Sequence, residues 1–229
     1  MSPICVMLAV LTVAFAIGCI TLRRKNKAFE GMLCKFMASF GFVSVAVVGY
    51  GMNPADTYYF VLICFALLFG FCGDILLGIK EVAPTFKGQL VPLGTLYFLV
   101  SHIFCLCAFI ETSSFNVIAL IIGICGIGLA AVMIKVFKMK IDGKLKIVMA
   151  IYYGTLIYKA AAAGFMAITM KTPAGIVAFV GSILFLISDT CLGLLYFTPV
   201  KRKNVWVTVE LSTYYPAQIL LAMSVALMK

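Results

Sequence analysis

The chain has 229 residues, of which 64% are hydrophobic and only 11% are charged, and its mean hydropathy is +1.16. A soluble globular domain is closer to half apolar, so this composition excludes one. The net charge of +10 would suit a nucleic-acid partner in a soluble protein. Here the basic residues lie at the ends of apolar segments, so we predict a membrane protein with no nucleic-acid partner.

Eight apolar stretches follow one another along the chain, and each is long enough to cross about 30 Å of hydrocarbon. They span residues 3–22, 31–50, 57–79, 91–110, 115–134, 146–170, 174–198 and 205–228. The short loops leave no room for a soluble domain. We therefore predict an all-α integral multi-pass membrane protein with eight transmembrane helices and a single domain over residues 1–229. Its host would be the cell membrane, or the endoplasmic reticulum in a eukaryote. The first stretch is expected to be a retained anchor, since its basic residues follow it.

Basic residues cluster on one side of this predicted arrangement. Fifteen of the 18 lysines and arginines flank the first, third, fifth and seventh loops: Arg23, Arg24, Lys25, Lys27, Lys35, Lys80, Lys87, Lys135, Lys138, Lys140, Lys144, Lys146, Lys201, Arg202 and Lys203. The positive-inside rule places these loops in the cytoplasm and both termini on the other side. There the loops would contact anionic membrane lipids.

Two aspartates lie inside apolar stretches, Asp74 in the third and Asp189 in the seventh. A charged side chain in a bilayer costs roughly 2.5–3.5 kcal/mol on insertion scales, so each needs a reason. Each begins the same short motif, Asp-x-x-Leu-Gly, in stretches that run in the same direction. Two interpretations stay open: a 4+4 parallel pseudo-repeat, or chance similarity between apolar helices. We expect both carboxylates to face one shared cavity in the cytoplasmic half.

Further polar residues fall at helical spacing in the fourth and eighth stretches. His102, the only histidine, follows Phe98 by four residues, and Glu210, Tyr214 and Gln218 are also spaced by four. Residues four apart share one face of a helix. Five or more polar groups at similar depth on helices 3, 4, 7 and 8 favour a polar cavity.

Each of these residues also has a structural interpretation. Asp74 would be a helix-end charge paired with Lys80, and Asp189 would form an ion pair with Lys159. His102 would be a hydrogen bonder between helices. Glu210 would be interfacial or paired with a basic loop. Tyr152 and Tyr153 would be anchors at the membrane interface.

The order and spacing of several of these residues resemble the YhhN-like lysoplasmalogenase family. The resemblance is carried by four motifs: Gly73-Asp74, Gly94-x-x-x-Phe98-x-x-x-His102, Ser188-Asp189 and Tyr215-x-x-Gln218. It covers essentially the whole chain. The sixth stretch departs from the pattern, because Tyr152 or Tyr153 and Met166 match it only loosely and Lys159 is unexpected.

This resemblance implies a hydrolase that cleaves the vinyl-ether bond of lysoplasmalogens, with a lysophospholipid as substrate. The products would be a fatty aldehyde and a glycerophospho-ethanolamine or -choline. The implied catalytic residues are Asp74, Asp189 and His102, and the implied substrate-binding residues are Gly73, Phe98, Ser188, Glu210, Tyr214, Tyr215 and Gln218. A vinyl ether is labile to acid, so the site needs a carboxylic acid that keeps its proton and a carboxylate nearby. The residues do not assign which aspartate is the acid.

Two other classes of protein also place acids in a membrane. A small proton-coupled transporter or channel is the main alternative, although the sequence shows no pair of helices broken by glycine or proline at corresponding positions. An intramembrane aspartyl protease fits less well, because the glycines of Gly70-Phe-Cys-Gly73-Asp74 are one residue too far apart. We predict no metal and no cofactor, because one histidine with scattered cysteines does not make an ordinary catalytic zinc site.

Overall fold

A computed structural model describes residues 2–141 and 143–228 of the chain. This part of the chain folds into eight α-helices and one short 3-10 helix, Pro84–Phe86, and contains no strand. The helices are α1 Pro3–Arg24, α2 Ala28–Met52, α3 Thr57–Val82, α4 Lys87–Ser113, α5 Val117–Val136, α6 Gly143–Met170, α7 Pro173–Phe197 and α8 Lys203–Leu227. Lys229 and the side chain of Lys144, both part of the predicted charge pattern, lie outside the described residues.

The eight predicted helices are all present, and most extend a few residues beyond the predicted ends. Polar caps fix several of the starts. The side chain of Asp56 accepts from the Tyr59 N–H at the start of α3, and that of Asn116 accepts from two main-chain N–H groups of α5. Thr172 caps α7, where Pro173 occupies the first turn. These caps satisfy N–H groups that have no partner within the helix.

Seven of the eight helices are long and apolar enough to cross a membrane, which is the composition of a multi-pass membrane protein. The exception is α8, whose mean hydropathy is lowered by Glu210, Gln218 and several hydroxyl side chains. Four polar residues of α8, Glu210, Tyr214, Gln218 and Ser224, are 4% exposed or less, whereas Ser212 is exposed. The polar character of α8 is therefore directed into the bundle.

Six helices form a closed ring. In order around it, α2 contacts α3, α3 contacts α4, α4 contacts α6, α6 contacts α7, α7 contacts α8, and α8 contacts α2. Outside this ring α1 packs on α2 and α8, and α5 packs on α6.

The two halves of the chain use equivalent contacts. The pairs α1–α2, α2–α3 and α3–α4 correspond to α5–α6, α6–α7 and α7–α8, and the α4–α6 contact corresponds to α8–α2. The contacts of α8 with α1 and α3 have no counterpart. This pattern is the one that a 4+4 parallel repeat predicts, and it places α3 and α7, which carry the two aspartates, in equivalent positions.

The position of Lys35 corrects one detail of the predicted charge pattern. The charge pattern predicts Lys35 at the edge of the first loop, but α2 begins seven residues earlier, at Ala28, and Lys35 is only 4% exposed. Lys80 is also buried, at 6%. Hydropathy does not distinguish a loop lysine from a buried one near a helix end, because that distinction depends on a partner elsewhere in the chain.

Candidate active site

A series of polar side chains in contact leads to Asp189 on α7. The Tyr152 hydroxyl of α6 donates a hydrogen bond to Asp189 Oδ2. His102 Nε2 of α4 lies 3.1 Å from the Tyr152 oxygen and 3.6 Å from Asp189 Oδ2. On the other side of the ring, Lys159 Nζ lies 3.2 Å from His102 Nδ1. Three helices thus align lysine, histidine, tyrosine and aspartate in contact.

The contact between Lys159 and His102 links the charge of the lysine to the tautomer of the histidine. With Lys159 as an ammonium, which only donates hydrogen bonds, His102 Nδ1 is the acceptor and a neutral ring carries its proton on Nε2. That N–H is directed toward Tyr152 and Asp189. Lys159 itself is fully buried, with its ammonium 4.2 Å from the centre of the Phe185 ring.

Asp74 on α3 is the centre of a second polar cluster. Ser39 Oγ and the Tyr214 hydroxyl each donate to Asp74 Oδ2 at 2.6 Å, and Gln218 Nε2 donates to the Tyr214 oxygen at 3.0 Å. Lys35 Nζ lies 2.8 Å from Asp74 Oδ1, forming a buried ion pair. The carboxylate of Asp74 therefore has both hydrogen-bond donors and a counter-charge.

Aromatic rings connect the two clusters. Phe185 packs edge to face against Tyr214 at 5.3 Å and against His102 at 4.7 Å between ring centres. Phe98 lies 6.2 Å from Phe185 and 6.0 Å from Tyr214. The predicted residues therefore form two networks on either side of an aromatic partition: His102 joins Asp189, whereas Tyr214 and Gln218 join Asp74. The two aspartates share no hydrogen-bonding partner among the described residues.

A small hollow borders the Asp189 cluster. Its volume is about 30 Å³, and its lining includes Asp189, Tyr152, Phe98, Thr95 and Leu77, but not Asp74. The prediction that both aspartates face one shared cavity is therefore wrong, because the aromatic rings lie between the two carboxylates. A space of this size accommodates about one water molecule. The hollow therefore places the Asp189 carboxyl beside room for water or a small part of a ligand.

A larger pocket of about 430 Å³ opens at the basic end of the bundle. Its lining includes five basic residues, two acids and several apolar side chains: Arg23, Arg24, Lys80, Lys87, Lys203, Glu81, Glu210, Leu192, Leu195, Tyr196 and Val207. Leu192 and Tyr196 line both this basic pocket and the hollow beside Asp189. The two spaces are therefore neighbours, separated by these side chains.

The remaining predicted site residues have defined contacts. Ser188 Oγ donates to the main-chain oxygen of Glu210, which joins α7 to α8, and the Tyr215 hydroxyl donates to the main-chain oxygen of Lys35. Gly73 packs directly against the Phe98 ring. Glu210 is 4% exposed and lines the basic pocket. The predicted pairing with a basic loop is not formed, because no lysine or arginine among the described residues lies within 4.0 Å of its carboxylate.

Several structural interpretations are also replaced. Lys80 pairs with Glu81 rather than with Asp74, and Lys159 contacts His102 rather than forming an ion pair with Asp189. The Tyr152 hydroxyl is not at the membrane interface but between His102 and Asp189. Tyr153 bonds to Thr190.

The sequence interpretation missed four residues of these clusters: Lys35, Ser39, Tyr152 and Lys159. A usable signal existed for the first two, because Lys35 and Ser39 are four residues apart and so share the helix face that contacts Asp74. Within the described residues, no group of three or more histidine, cysteine or acidic side chains is placed to hold a metal ion.

A family model matches residues 31–225, which include every candidate site residue. The chain belongs to the YhhN family. No curated protein and no solved structure matches this YhhN-family chain. Both clusters therefore lie within the part of the chain that the family model covers.

Proposed function

We propose that this YhhN-family protein hydrolyses the vinyl-ether bond of lysoplasmalogens, releasing a fatty aldehyde and a glycerophospho-ethanolamine or -choline. The observation that supports this most directly is the hollow beside Asp189, which adjoins a basic pocket through Leu192 and Tyr196. A lysophospholipid needs the same combination: a reactive site for its ether bond next to cations for its phosphate.

Hydrolysis begins with proton transfer to the β-carbon of the vinyl ether. This step forms an oxocarbenium ion, which water attacks to give a hemiacetal. The hemiacetal then collapses: its hydroxyl group loses a proton, the departing glycerol oxygen gains one, and the aldehyde is released. A positioned acid that donates the first proton and then accepts one from the attacking water is returned to its starting state.

Asp189 is the better candidate for that acid. Asp74 has a lysine ammonium at 2.8 Å to balance a negative charge, whereas among the described residues no lysine or arginine lies within 4.0 Å of the Asp189 carboxyl. Asp189 also lines the hollow. In this mechanism Tyr152 and His102 orient the Asp189 carboxyl and move a proton during collapse of the hemiacetal.

Asp74 acts indirectly in this proposal. Its carboxylate fixes the hydroxyl of Tyr214, whose ring supports Phe98 and Phe185 beside the hollow. The phosphate would lie among the cations of the basic pocket, and the alkenyl chain would extend between apolar helices. All eight helices would cross the bilayer, with both termini on the non-cytoplasmic side.

The test is aldehyde release from lysoplasmenylethanolamine by the purified protein. Because general acid catalysis typically contributes about 10²–10⁴-fold, Asp189→Asn should lower the rate by at least that lower bound. Asp56→Asn, at the exposed cap of α3, is the matched control and should retain activity. A saturated alkyl ether of the same lipid should not react. An unchanged rate in Asp189→Asn would rule out this assignment.

The equivalent halves also fit a small proton-coupled transporter, because repeats and membrane acids are common in that class. Such transporters usually form their sites from broken helices, whereas α4 and α8 remain helical through Pro92 and Pro216. Proteoliposomes separate the two proposals. Proton or solute flux without chemical change of the lipid would favour transport.

A further inference from the structure

One acid in the basic pocket has no partner of its own. Glu210 is 4% exposed and lines the pocket. Among the described residues its carboxylate accepts no hydrogen bond and has no cation within 4.0 Å. The hydrogen bonds from Ser188 and Thr213 reach only its main-chain oxygen. Its oxygens are not among the fully enclosed, unsatisfied polar atoms of the described residues, so they open onto the pocket, where a bound cation would pair with them.

The other acid of the pocket is fully paired. Glu81 lies 3.1 Å from Arg23 Nη2 and 2.8 Å from Lys80 Nζ, so two cations share one carboxylate. Three more basic residues, Arg24, Lys87 and Lys203, also line the pocket. The walls therefore carry excess positive charge, while the buried Glu210 supplies a separate negative charge.

We infer that the basic pocket binds a zwitterionic phosphate–ammonium headgroup, with Glu210 holding the ammonium and the basic residues holding the phosphate. The inference deepens the proposed function, on which its choice of a lipid ligand rests. The pocket volume of about 430 Å³ lies within the range typical of small-ligand sites. A phosphoglycerol headgroup supplies the anion but leaves Glu210 without its cation, so Glu210 determines headgroup specificity.

Binding of three lysophospholipids to the purified protein in neutral detergent tests this inference. The lipids carry the same saturated ether chain, which cannot be hydrolysed at a vinyl bond, and a phosphocholine, phosphoethanolamine or phosphoglycerol headgroup. The wild type should bind both zwitterions about tenfold more tightly than phosphoglycerol, the effect of one charge contact. Glu210→Gln should abolish this preference by weakening the zwitterions alone. Glu210→Asp should retain part of it.

Glu111→Gln, an exposed acid at the end of α4, is the matched control and should keep the wild-type preference. Equal binding of all three lipids by the wild type, or an unchanged preference in Glu210→Gln, would overturn the inference. The wild-type comparison decides the matter even if Glu210→Gln does not fold.

Two further comparisons distinguish a lipid ligand from a free phosphodiester, and the headgroup site from the proposed hydrolysis. Water-soluble glycerophosphocholine that competes as tightly as the lysolipid would assign the pocket to a free phosphodiester, and much weaker competition would assign it to lipid. Because the probes lack a vinyl ether, their binding is measured independently of the reaction. A headgroup preference of the probes, together with no aldehyde release from lysoplasmenylethanolamine, would reject the proposed reaction and keep the binding site. Aldehyde release without headgroup preference rejects the site alone.

Discussion

Asp74 and Asp189 each lie near a buried lysine, but the two lysines contact different groups. Lys35 contacts the Asp74 carboxylate directly, whereas Lys159 contacts the ring of His102 and reaches Asp189 only through His102 and Tyr152. A direct ion pair fixes charge on both partners. A lysine that reaches the acid only through other side chains leaves it without a direct counter-charge, and the proposed role of Asp189 as the acid rests on this difference.

Removing Lys35 should destabilise the protein. Lys35→Met leaves the Asp74 charge buried without its counter-charge, and breaking a buried pair in this way typically costs about 3–5 kcal/mol. The double variant Lys35→Met/Asp74→Asn should recover most of that loss, because no buried charge remains. Unfolding by denaturant in detergent measures both changes. Lys27→Met, which removes an exposed pair with Glu30, should have little effect. Equal stability of Lys35→Met and Lys27→Met would contradict the assigned ion pair.

Removing Lys159 should lower the rate of aldehyde release by about 10²-fold, because His102 loses the donor that fixes its tautomer. Lys171→Met, at an exposed junction between α6 and α7, is the control and should be active. If Lys159 acts through His102, adding Lys159→Met to a His102→Gln variant should cause no further loss. Additive losses in the double variant would show that Lys159 acts independently of the ring.

At the scale of helices, Gly73 allows α3 to approach α4 at the site. An alanine Cβ at this position would lie 2.8 Å from Phe98 Cε2, and the Phe98 ring is itself packed against Phe185 and Tyr214. Gly73→Ala should therefore displace the ring beside the hollow and reduce both stability and aldehyde release. Thermal unfolding and the rate assay measure the two effects.

Gly128→Ala in α5 is the matched control for this substitution. No atom lies within 4 Å of the Cβ that it would add, and alanine favours a helix over glycine by roughly 1 kcal/mol. This variant should be as stable as the wild type or more so. Equal behaviour of the two alanine variants would show that the close contact at Gly73 does not matter.

The sequence predicted the helices well because apolar length and polar caps are local features. It predicted Asp74, Asp189 and His102 as buried polar groups for the same reason, since each lies in an apolar stretch. It did not predict Tyr152, because a tyrosine near a helix end suits an interface and a buried hydrogen bond equally well. Only the packing of α6 against α4 and α7 decides between them.

At the scale of the whole molecule, the equivalent halves separate two tasks. Asp74 is held by α2, α3 and α8, and Asp189 by α4, α6 and α7, so each cluster lies where one half meets the other. The Asp74 cluster ends in an ion pair, whereas the Asp189 cluster borders a hollow. Equivalent positions in the two halves therefore hold one aspartate in an ion pair and the other beside a hollow, which is the difference on which the proposed roles rest.

The basic pocket also predicts the orientation of the protein. Its basic residues come from the ends of α1 and α3 and the starts of α4 and α8, so one end of the bundle carries the positive charge. The positive-inside rule places that end in the cytoplasm, and eight crossings then return the C-terminus to the other side. In a bacterial host, alkaline phosphatase fused after Lys229 should be active, and a fluorescent protein fused after Lys140 should fluoresce. Fluorescence of a fusion after Lys229 would contradict this orientation and indicate an odd number of crossings, with α8 the first helix to question because of its low hydropathy.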